Sequence, residues 1–115
     1  MENKRKVGAK WEKVVAEYLE DKGYMILQMN YRTRYSEIDV IAEDGEFLVF
    51  IEVKYRKTAC AGDPVEAVDS RKIARIRNAA LYYLRDNHYI IDNTNIRFDV
   101  VGILGNEIKH IINAF

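Results

Sequence analysis

The sequence is short of several features that would point to a particular class of protein. It has one cysteine, Cys60, in 115 residues, which excludes an intrachain disulfide and a cysteine-based zinc cluster and suits a reducing compartment. No apolar run approaches the length of a membrane span, and no apolar signal segment follows the charged N-terminal residues. We therefore expect a cytoplasmic protein that has no membrane partner.

An excess of charge of one sign is also absent. The 18 Lys and Arg residues balance the 18 Asp and Glu residues, so no global field indicates a nucleic-acid partner. The basic residues are nevertheless clustered, within residues 4–13, 32–34, 54–57 and 71–77. Such clusters are typical of a solvated surface, and phosphate contacts need them too. Charge alone leaves both interpretations open.

The length and the hydrophobic pattern predict one α/β domain over residues 1–115. About half of the residues, 49%, are apolar, which is enough for a substantial core. Apolar residues at helical spacing predict helices over 7–22 and 70–85. Runs of strand-forming residues predict strands over 24–31, 36–42, 47–55, 96–104 and 108–112. The predicted order of elements is α-β-β-β-α-β-β, without an internal repeat or a linker.

The stretch SEIDVIAEDGEFLVFIEVKYRK, residues 36–57, has charges inside two apolar strands. The Asp-Gly pair at 44–45 predicts a hairpin turn between these strands. We expect either Ala42 opposite Phe47 or Glu43 opposite Glu46. Both pairings give the same register, and they place alternate charged side chains of the two strands on one face of the sheet.

In that register Glu37 faces Glu52, Asp39 lies diagonal to Glu52, and Lys54 shares their face. Two acids on an apolar sheet repel each other and lose hydration, which is unfavourable unless a positive charge compensates. Mg²⁺ prefers carboxylate oxygens, and Asp39 with Glu52 supplies the usual number. Lys54 could orient an attacking water or stabilise charge on a phosphate. Glu12, at the edge of the first helix's buried stripe, could complete the acidic site.

The same spacing also fits a solvated sheet face with cross-strand ion pairs. The FLVFI segment at 47–51 is apolar on both faces, which favours a central strand covered on both sides. Spacing alone leaves the metal site and the solvated face as alternatives.

The acid Glu12 on the first helix, Asp39 before the hairpin and Glu-Val-Lys at 52–54 resemble the PD-(D/E)xK nuclease core, in the order found in archaeal Holliday-junction resolvases. The closer resemblance is to the YraN-like family of small bacterial proteins. It is carried by GAKWEKVVAEYLEDKGY, NYRTRYSEIDVIAEDGEFLVFIEVKYRK, GDPVEAVDSRKIARIRNAALYYL and IRFDVVGI, which cover nearly the whole chain in order. Trp11 and Ser36 depart from this pattern, because the family usually has glycine at both positions.

The resemblance implies a restriction-endonuclease-like fold, a mixed β-sheet flanked by helices. It also implies a divalent-metal-dependent endonuclease that hydrolyses phosphodiester bonds of structured or branched nucleic acid, with Mg²⁺ or Mn²⁺ as cofactor. By that resemblance Asp39 and Glu52 are metal ligands, and the Val53 carbonyl is a third. Lys54 corresponds to the catalytic lysine, and Glu12 corresponds to the acid of the resolvase helix.

The expected partner is nucleic acid, with DNA favoured, and the analogy with resolvases allows a homodimer. The basic candidates for contacts with the nucleic-acid backbone are Arg32, Arg34, Arg56 and Lys72. Glu37 matches the family's Glu-Ile-Asp element, which assigns it no defined role. Two other functions stay open: a noncatalytic nucleic-acid-binding module on the same fold, and a protein-interaction adaptor.

Several further side chains have both a functional and a structural interpretation. Tyr31 and Tyr35 could stack on bases, although packing beside strands is the commoner use of tyrosine. Asp99 could lie near the candidate site or pair with an arginine, and we favour the structural role. His88 and His110 lack a metal-ligand spacing, so we expect both at the surface or in loops.

Overall fold

A computed structural model describes residues 4–58, 62, 64 and 68–115, with side chains from residue 10 onward; Cys60 lies outside these residues. The described elements are α1 (Lys4–Asp21), β1 (Met25–Arg32), β2 (Glu37–Asp44), β3 (Phe47–Arg56), α2 (Ser70–Asp86), β4 (Asn95–Leu104) and β5 (Glu107–Ile111). A short 3₁₀ helix, Ile91–Asn93, precedes β4. The predicted order is confirmed, with small shifts at the ends of elements. Among the described residues, neither α-helix is long and apolar enough to cross a bilayer.

The strands form one mixed sheet in the order β1-β2-β3-β4-β5. β3 and β4 are parallel because the chain crosses over through α2 between them, and the other neighbouring pairs are antiparallel. β3 is therefore hydrogen-bonded on both sides, and its residues 48–52 are buried. This central position explains why the FLVFI segment is apolar on both faces.

The sheet carries two buried apolar clusters, one with α1 and one with α2. The first includes Val15, Leu19, Val40, Val49 and Ile51. The second includes Ile41, Phe50, Ile76, Ala80 and Leu84. Because side chains alternate along a strand, Glu52 lies on the same face as Phe50, which is the face toward α2.

The register of the β2–β3 hairpin differs from the predicted one. Asp44 pairs with Phe47, so the predictions that placed Ala42 opposite Phe47 or Glu43 opposite Glu46 are wrong. The loop has only two residues, and its glycine has a φ of +58° at the position that a type II′ hairpin turn reserves for glycine. The observed loop, Gly45 and Glu46, lies one residue further along the chain than a two-residue Asp44-Gly45 turn, so every cross-strand partner moves by two residues.

The shift leaves the faces unchanged but changes which acids are neighbours. A displacement of two residues keeps each side chain on its predicted side of the sheet. Continued one residue beyond the pair Val40 and Ile51, the observed register places Asp39 beside Glu52 instead of diagonal to it. The prediction that Glu37 faces Glu52 is wrong for the same reason.

Candidate metal and nucleic-acid site

Two acidic side chains lie side by side within the sheet, on neighbouring strands. Asp39 of β2 is 7% exposed and Glu52 of β3 is 3% exposed. The backbone N–H of Val53 donates a hydrogen bond of 2.8 Å to Asp39 Oδ2. This bond ties the Asp39 side chain to β3, so the two carboxyl groups cannot separate without a change in the sheet.

This arrangement strongly disfavours the ionised form of Asp39. Burial and the Glu52 carboxylate raise the pKa of Asp39 to about 8, although the hydrogen bond from Val53 lowers it, and Glu12 on α1 adds a smaller upward contribution. At neutral pH Asp39 therefore retains a proton. A divalent cation could replace that proton and hold both carboxylates in the ionised form.

Two lysines approach only one oxygen of Glu52. Lys54 Nζ lies 3.5 Å and Lys72 Nζ lies 3.4 Å from Glu52 Oε1, and the side chains of both lysines are about one-third exposed. The other oxygen, Oε2, is buried and has no hydrogen-bond partner among the described residues. Because a buried carboxylate oxygen without a donor is unfavourable, this atom is the one best placed to accept a cation.

Within the described part of the chain, no group of three or more His, Cys, Asp or Glu side chains could hold a metal ion. A cation at Asp39 and Glu52 would therefore need further oxygens from backbone, water or a phosphate. That ligand set is typical of Mg²⁺, which is commonly bound through one or two carboxylates. The acid pair and its unpartnered oxygen fit Mg²⁺ or Mn²⁺, and the role of the Val53 carbonyl stays a prediction.

An open cavity of about 330 Å³ lies beside the acid pair. Lys72 connects the two, because it contacts Glu52 and also lines the cavity together with Arg32 and Arg75. Arg32 Nε also donates a hydrogen bond of 3.1 Å to Glu37 Oε2. Glu37 therefore belongs to this cavity and to an exposed ion pair. It is not part of the buried acid pair.

The remaining predicted backbone contacts differ in exposure. Arg34 is exposed, and its guanidinium lies 5.4 Å from the centre of the Tyr35 ring. Arg56, at the end of β3, has a buried Nε that no described residue hydrogen-bonds. Arg34 is therefore better placed than Arg56 to contact a phosphate.

The two departures from the family pattern each take part in local packing. The Trp11 ring stacks on Tyr55, with centroids 4.6 Å apart, which packs α1 against β3. Ser36 closes the turn before β2, since the Thr33 N–H donates a hydrogen bond of 2.8 Å to its carbonyl oxygen. Both residues are thus accommodated by contacts that this chain makes itself.

A second buried cluster of charges lies on the opposite face of the sheet, around Asp99 of β4, which pairs with Ile51 of β3. Asp99 is fully buried and accepts hydrogen bonds from Arg97 Nε at 2.9 Å, His110 Nε2 at 2.8 Å and the Asn113 N–H at 3.0 Å. Arg97 also donates to the Tyr24 hydroxyl. The expected pairing of Asp99 with an arginine is confirmed.

His110 is placed differently from the prediction. We expected it at the surface or in a loop, but it lies on β5 with its side chain 3% exposed, because Asp99 provides a buried acceptor for its ring. Sequence reasoning also missed Arg97. Its position two residues before Asp99 on one strand signals that the two share a face.

The pKa of Asp99 moves in the direction opposite to that of Asp39. Burial alone would raise it, but hydrogen bonds from His110, Arg97 and Asn113 outweigh burial and lower the pKa to about 2. Asp99 is therefore ionised and fully paired at neutral pH. Because the side chains of this cluster already balance the charge of Asp99, it does not require a bound cation. We therefore assign it a structural role.

Comparison with known proteins places the chain in a family. Residues 11–103 match the uncharacterised protein family UPF0102. A UPF0102 protein of Lachnoclostridium phytofermentans is 47% identical over 113 residues, which cover 98% of this chain and 95% of the relative. One from Carboxydothermus hydrogenoformans is 40% identical over 113 residues, covering 98% and 94%. One from Syntrophomonas wolfei is 44% identical over 115 residues, covering 96% and 98%. The chain therefore belongs to the UPF0102 family, the YraN-like family that its sequence motifs indicated.

Proposed function

We propose that this protein is a divalent-metal-dependent endonuclease that hydrolyses phosphodiester bonds of structured or branched nucleic acid, with DNA favoured over RNA. The observation that carries the proposal is the buried pair of Asp39 and Glu52, in which Oε2 of Glu52 has no partner in the described structure. A pair of buried acids without sufficient positive charge is unfavourable as a structural element. It is a suitable ligand set for a hard cation.

The residues around the pair have distinct roles in this proposal. Asp39 and Glu52 would hold Mg²⁺ or Mn²⁺, with the Val53 carbonyl as a further ligand. The chemistry supplied by the bound cation is Lewis-acid stabilisation of charge on the phosphate. Lys54, whose ammonium already lies 3.5 Å from Glu52, would donate hydrogen bonds to the attacking water or to a phosphate oxygen. Glu12 contributes further negative charge from α1.

The basic side of the cavity gives the proposal a binding surface. Lys72, Arg32 and Arg75 line the cavity next to the acid pair, and Arg34 is exposed on the turn above it. Phosphates held by these cations would lie within reach of the acids. The neutral net charge of the chain does not oppose this, because local clusters set the potential at a cleft.

The test is a cleavage assay with labelled four-way junction, flap, linear duplex, single-stranded DNA and RNA, in Mg²⁺ or Mn²⁺. Wild type should cleave at least one structured substrate, and Asp39→Asn should abolish cleavage without unfolding. Glu37→Gln is the matched control, since it removes an acid from the same strand but outside the buried pair.

The alternatives give different outcomes in the same assay. Binding without cleavage, with affinity falling steeply as salt is added, would identify a noncatalytic nucleic-acid-binding module. Failure to bind any nucleic acid would leave the protein-interaction adaptor. Loss of activity in Asp39→Asn through unfolding alone would contradict the assignment of the site.

A further inference from the structure

A second cavity, of about 380 Å³, adjoins the basic one. We call it the tyrosine cavity, and its lining includes Arg34, Tyr35, Tyr82 and Arg85. Arg32 and Tyr35 line both cavities. A continuous surface therefore leads from Lys72 at the acid pair, along Arg32, to the tyrosine cavity. The volume is within the range of sites that bind small organic groups.

Two tyrosine side chains of this cavity are exposed to solvent. Tyr35 is 71% exposed and Tyr82 is 37% exposed, and neither hydroxyl forms a hydrogen bond within the described residues. Tyr31, on the same wall, is different. Its ring packs edge-on against Tyr83, with centroids 5.3 Å apart, and its hydroxyl donates to Asp86. Tyr31 is thus a packing residue, whereas Tyr35 and Tyr82 are available to a ligand.

The backbone that carries Tyr35 is held by hydrogen bonds within its turn. Thr33 Oγ1 accepts hydrogen bonds from the N–H groups of Tyr35 at 3.3 Å and Ser36 at 3.1 Å, which fixes the turn between β1 and β2. The backbone of Tyr82 is ordered by its place in α2. A backbone that is already ordered lowers the entropy lost on binding.

The charges of the tyrosine cavity favour an anionic ligand with an aromatic group. Its lining contains three arginines and one acid, Asp86, and Asp86 is already bound by Arg85 at 3.1 Å. Guanidinium groups lie against both rings, with Arg34 5.4 Å from Tyr35 and Arg85 4.7 Å from Tyr82. Aromatic rings together with arginines are the combination that binds single-stranded nucleic acid, through base stacking and phosphate contacts.

We propose that the tyrosine cavity binds an unpaired nucleobase, which stacks on Tyr35 and Tyr82, while Arg32 and Arg34 contact the flanking phosphates. This inference rests on the proposed function, and it narrows the substrate class. Bases in an intact duplex are stacked on one another and cannot reach a ring inside a cavity. The preferred substrate is therefore a flap, a gap or a splayed end, with single-stranded DNA beside the position of cleavage.

The experiment measures binding in EDTA, so that metal-dependent cleavage does not interfere. One probe is a DNA duplex with a short single-stranded tail that contains 2-aminopurine, whose fluorescence is quenched on stacking. The other is a blunt duplex with the same number of phosphates. Wild type should quench the 2-aminopurine fluorescence of the tail. It should also bind the tailed probe about tenfold more tightly than the blunt one, since stacking of one base contributes about 1–3 kcal/mol.

Substitutions then test the rings themselves. Tyr35→Leu should remove the quenching and weaken binding of the tailed probe about tenfold, with blunt-duplex binding unchanged. Tyr35→Phe keeps the ring and should retain both properties. Tyr82→Leu should also weaken binding of the tailed probe without changing binding of the blunt duplex. Leu81→Ala is the matched control, because Leu81 is 52% exposed beside Tyr82 on α2 but does not line the cavity.

The proposal is overturned if Tyr35→Leu and Tyr82→Leu do not change the affinity for the tailed probe, or if they lower the affinity for both probes equally. It is also overturned if wild type binds neither probe. Failure of the endonuclease proposal looks different. In that case Mg²⁺ produces no cleavage that depends on Asp39, while the preference for the tailed probe and its loss in Tyr35→Leu persist. Conversely, if the protein cleaves nucleic acid but Tyr35→Leu changes neither the quenching nor the binding of the tailed probe, only the stacking subsite is overturned.

Discussion

Two buried groups of charges on the same sheet have opposite electrostatic character. Around Asp99, a guanidinium, an imidazole and a backbone N–H satisfy one carboxylate, and its pKa falls to about 2. At Asp39 and Glu52, two carboxyl groups share one backbone donor and two lysines that approach a single oxygen, and the pKa of Asp39 rises to about 8.

The difference separates a structural element from a candidate cation site. A buried charge that the protein pairs completely holds strands together and needs nothing from outside. A buried acid pair that the protein leaves short of positive charge lowers the stability of the fold, and it persists where a ligand supplies the missing charge. This contrast supports the assignment of the acid pair as the cation site more strongly than the presence of acids alone.

The largest effect that the comparison predicts is on the paired cluster. Arg97→Met removes the cation that pairs with Asp99 and leaves a buried carboxylate without it, so the free energy of unfolding should fall by about 3–5 kcal/mol. Urea denaturation followed by circular dichroism measures this change. A loss below about 1 kcal/mol, typical of an exposed ion pair, would contradict a structural role for the cluster.

The next largest effect should be the loss of unfolding free energy at low pH, when Asp99 becomes protonated. The folded pKa of Asp99 lies below its unfolded value, so its contribution is present above about pH 4 and is lost as the pH falls toward 2. The expected loss is on the order of 2 kcal/mol. Urea midpoints between pH 5 and pH 2.5 measure it, and Asp99→Asn should lack this component. If the urea midpoints of wild type and Asp99→Asn fell equally with pH, the assignment of this loss to Asp99 would be contradicted.

At the acid pair, stability should change with pH in the opposite direction to that at Asp99. The folded pKa of Asp39 lies above its unfolded value, so stability without metal is lost as the pH rises from about 4 through about 8. Asp39→Asn should therefore stabilise the protein by at least about 1 kcal/mol at pH 7, with a gain that grows over this interval. Thermal unfolding in EDTA at several pH values measures it. A destabilised variant would contradict the account of the pair as an uncompensated site.

The smallest effect is expected at the exposed acid on the same strand. The Glu37 side chain is 41% exposed and pairs with an Arg32 side chain that is 75% exposed. Glu37→Gln should change the free energy of unfolding by less than about 0.5 kcal/mol, and metal-dependent cleavage should persist. Denaturation and the cleavage assay check the two parts. A large loss of stability would place Glu37 in the buried pair after all.

Strand periodicity was sufficient to place the acids of the candidate site on one face of the sheet, but not to give their contacts. Alternation of side chains along β2 and β3 put Asp39, Glu52 and Lys54 on one face, and this does not depend on a register shift of two residues. The register itself depends on which residues form the turn, and composition does not distinguish an Asp44-Gly45 loop from the Gly45-Glu46 loop that forms, since both contain the glycine.

Contacts between distant parts of the chain were beyond sequence reasoning. The approach of Lys72 on α2 to Glu52 depends on how the helix packs on the sheet, and a position at the edge of a helical stripe does not determine it. His110 was misplaced because its partner, Asp99, lies on another strand. The pair of Arg97 and Asp99 was within reach, since both lie on one strand at a spacing of two.

The most direct test of the central claim is calorimetric titration of the protein with Mn²⁺ at neutral pH, for wild type, Asp39→Asn and Glu37→Gln. We expect one binding site in wild type, its loss in Asp39→Asn and its retention in Glu37→Gln, because Asp39 belongs to the buried pair and Glu37 does not. Equal binding by all three proteins, or no binding by wild type, would contradict the assignment of Asp39 and Glu52 as a divalent-cation site.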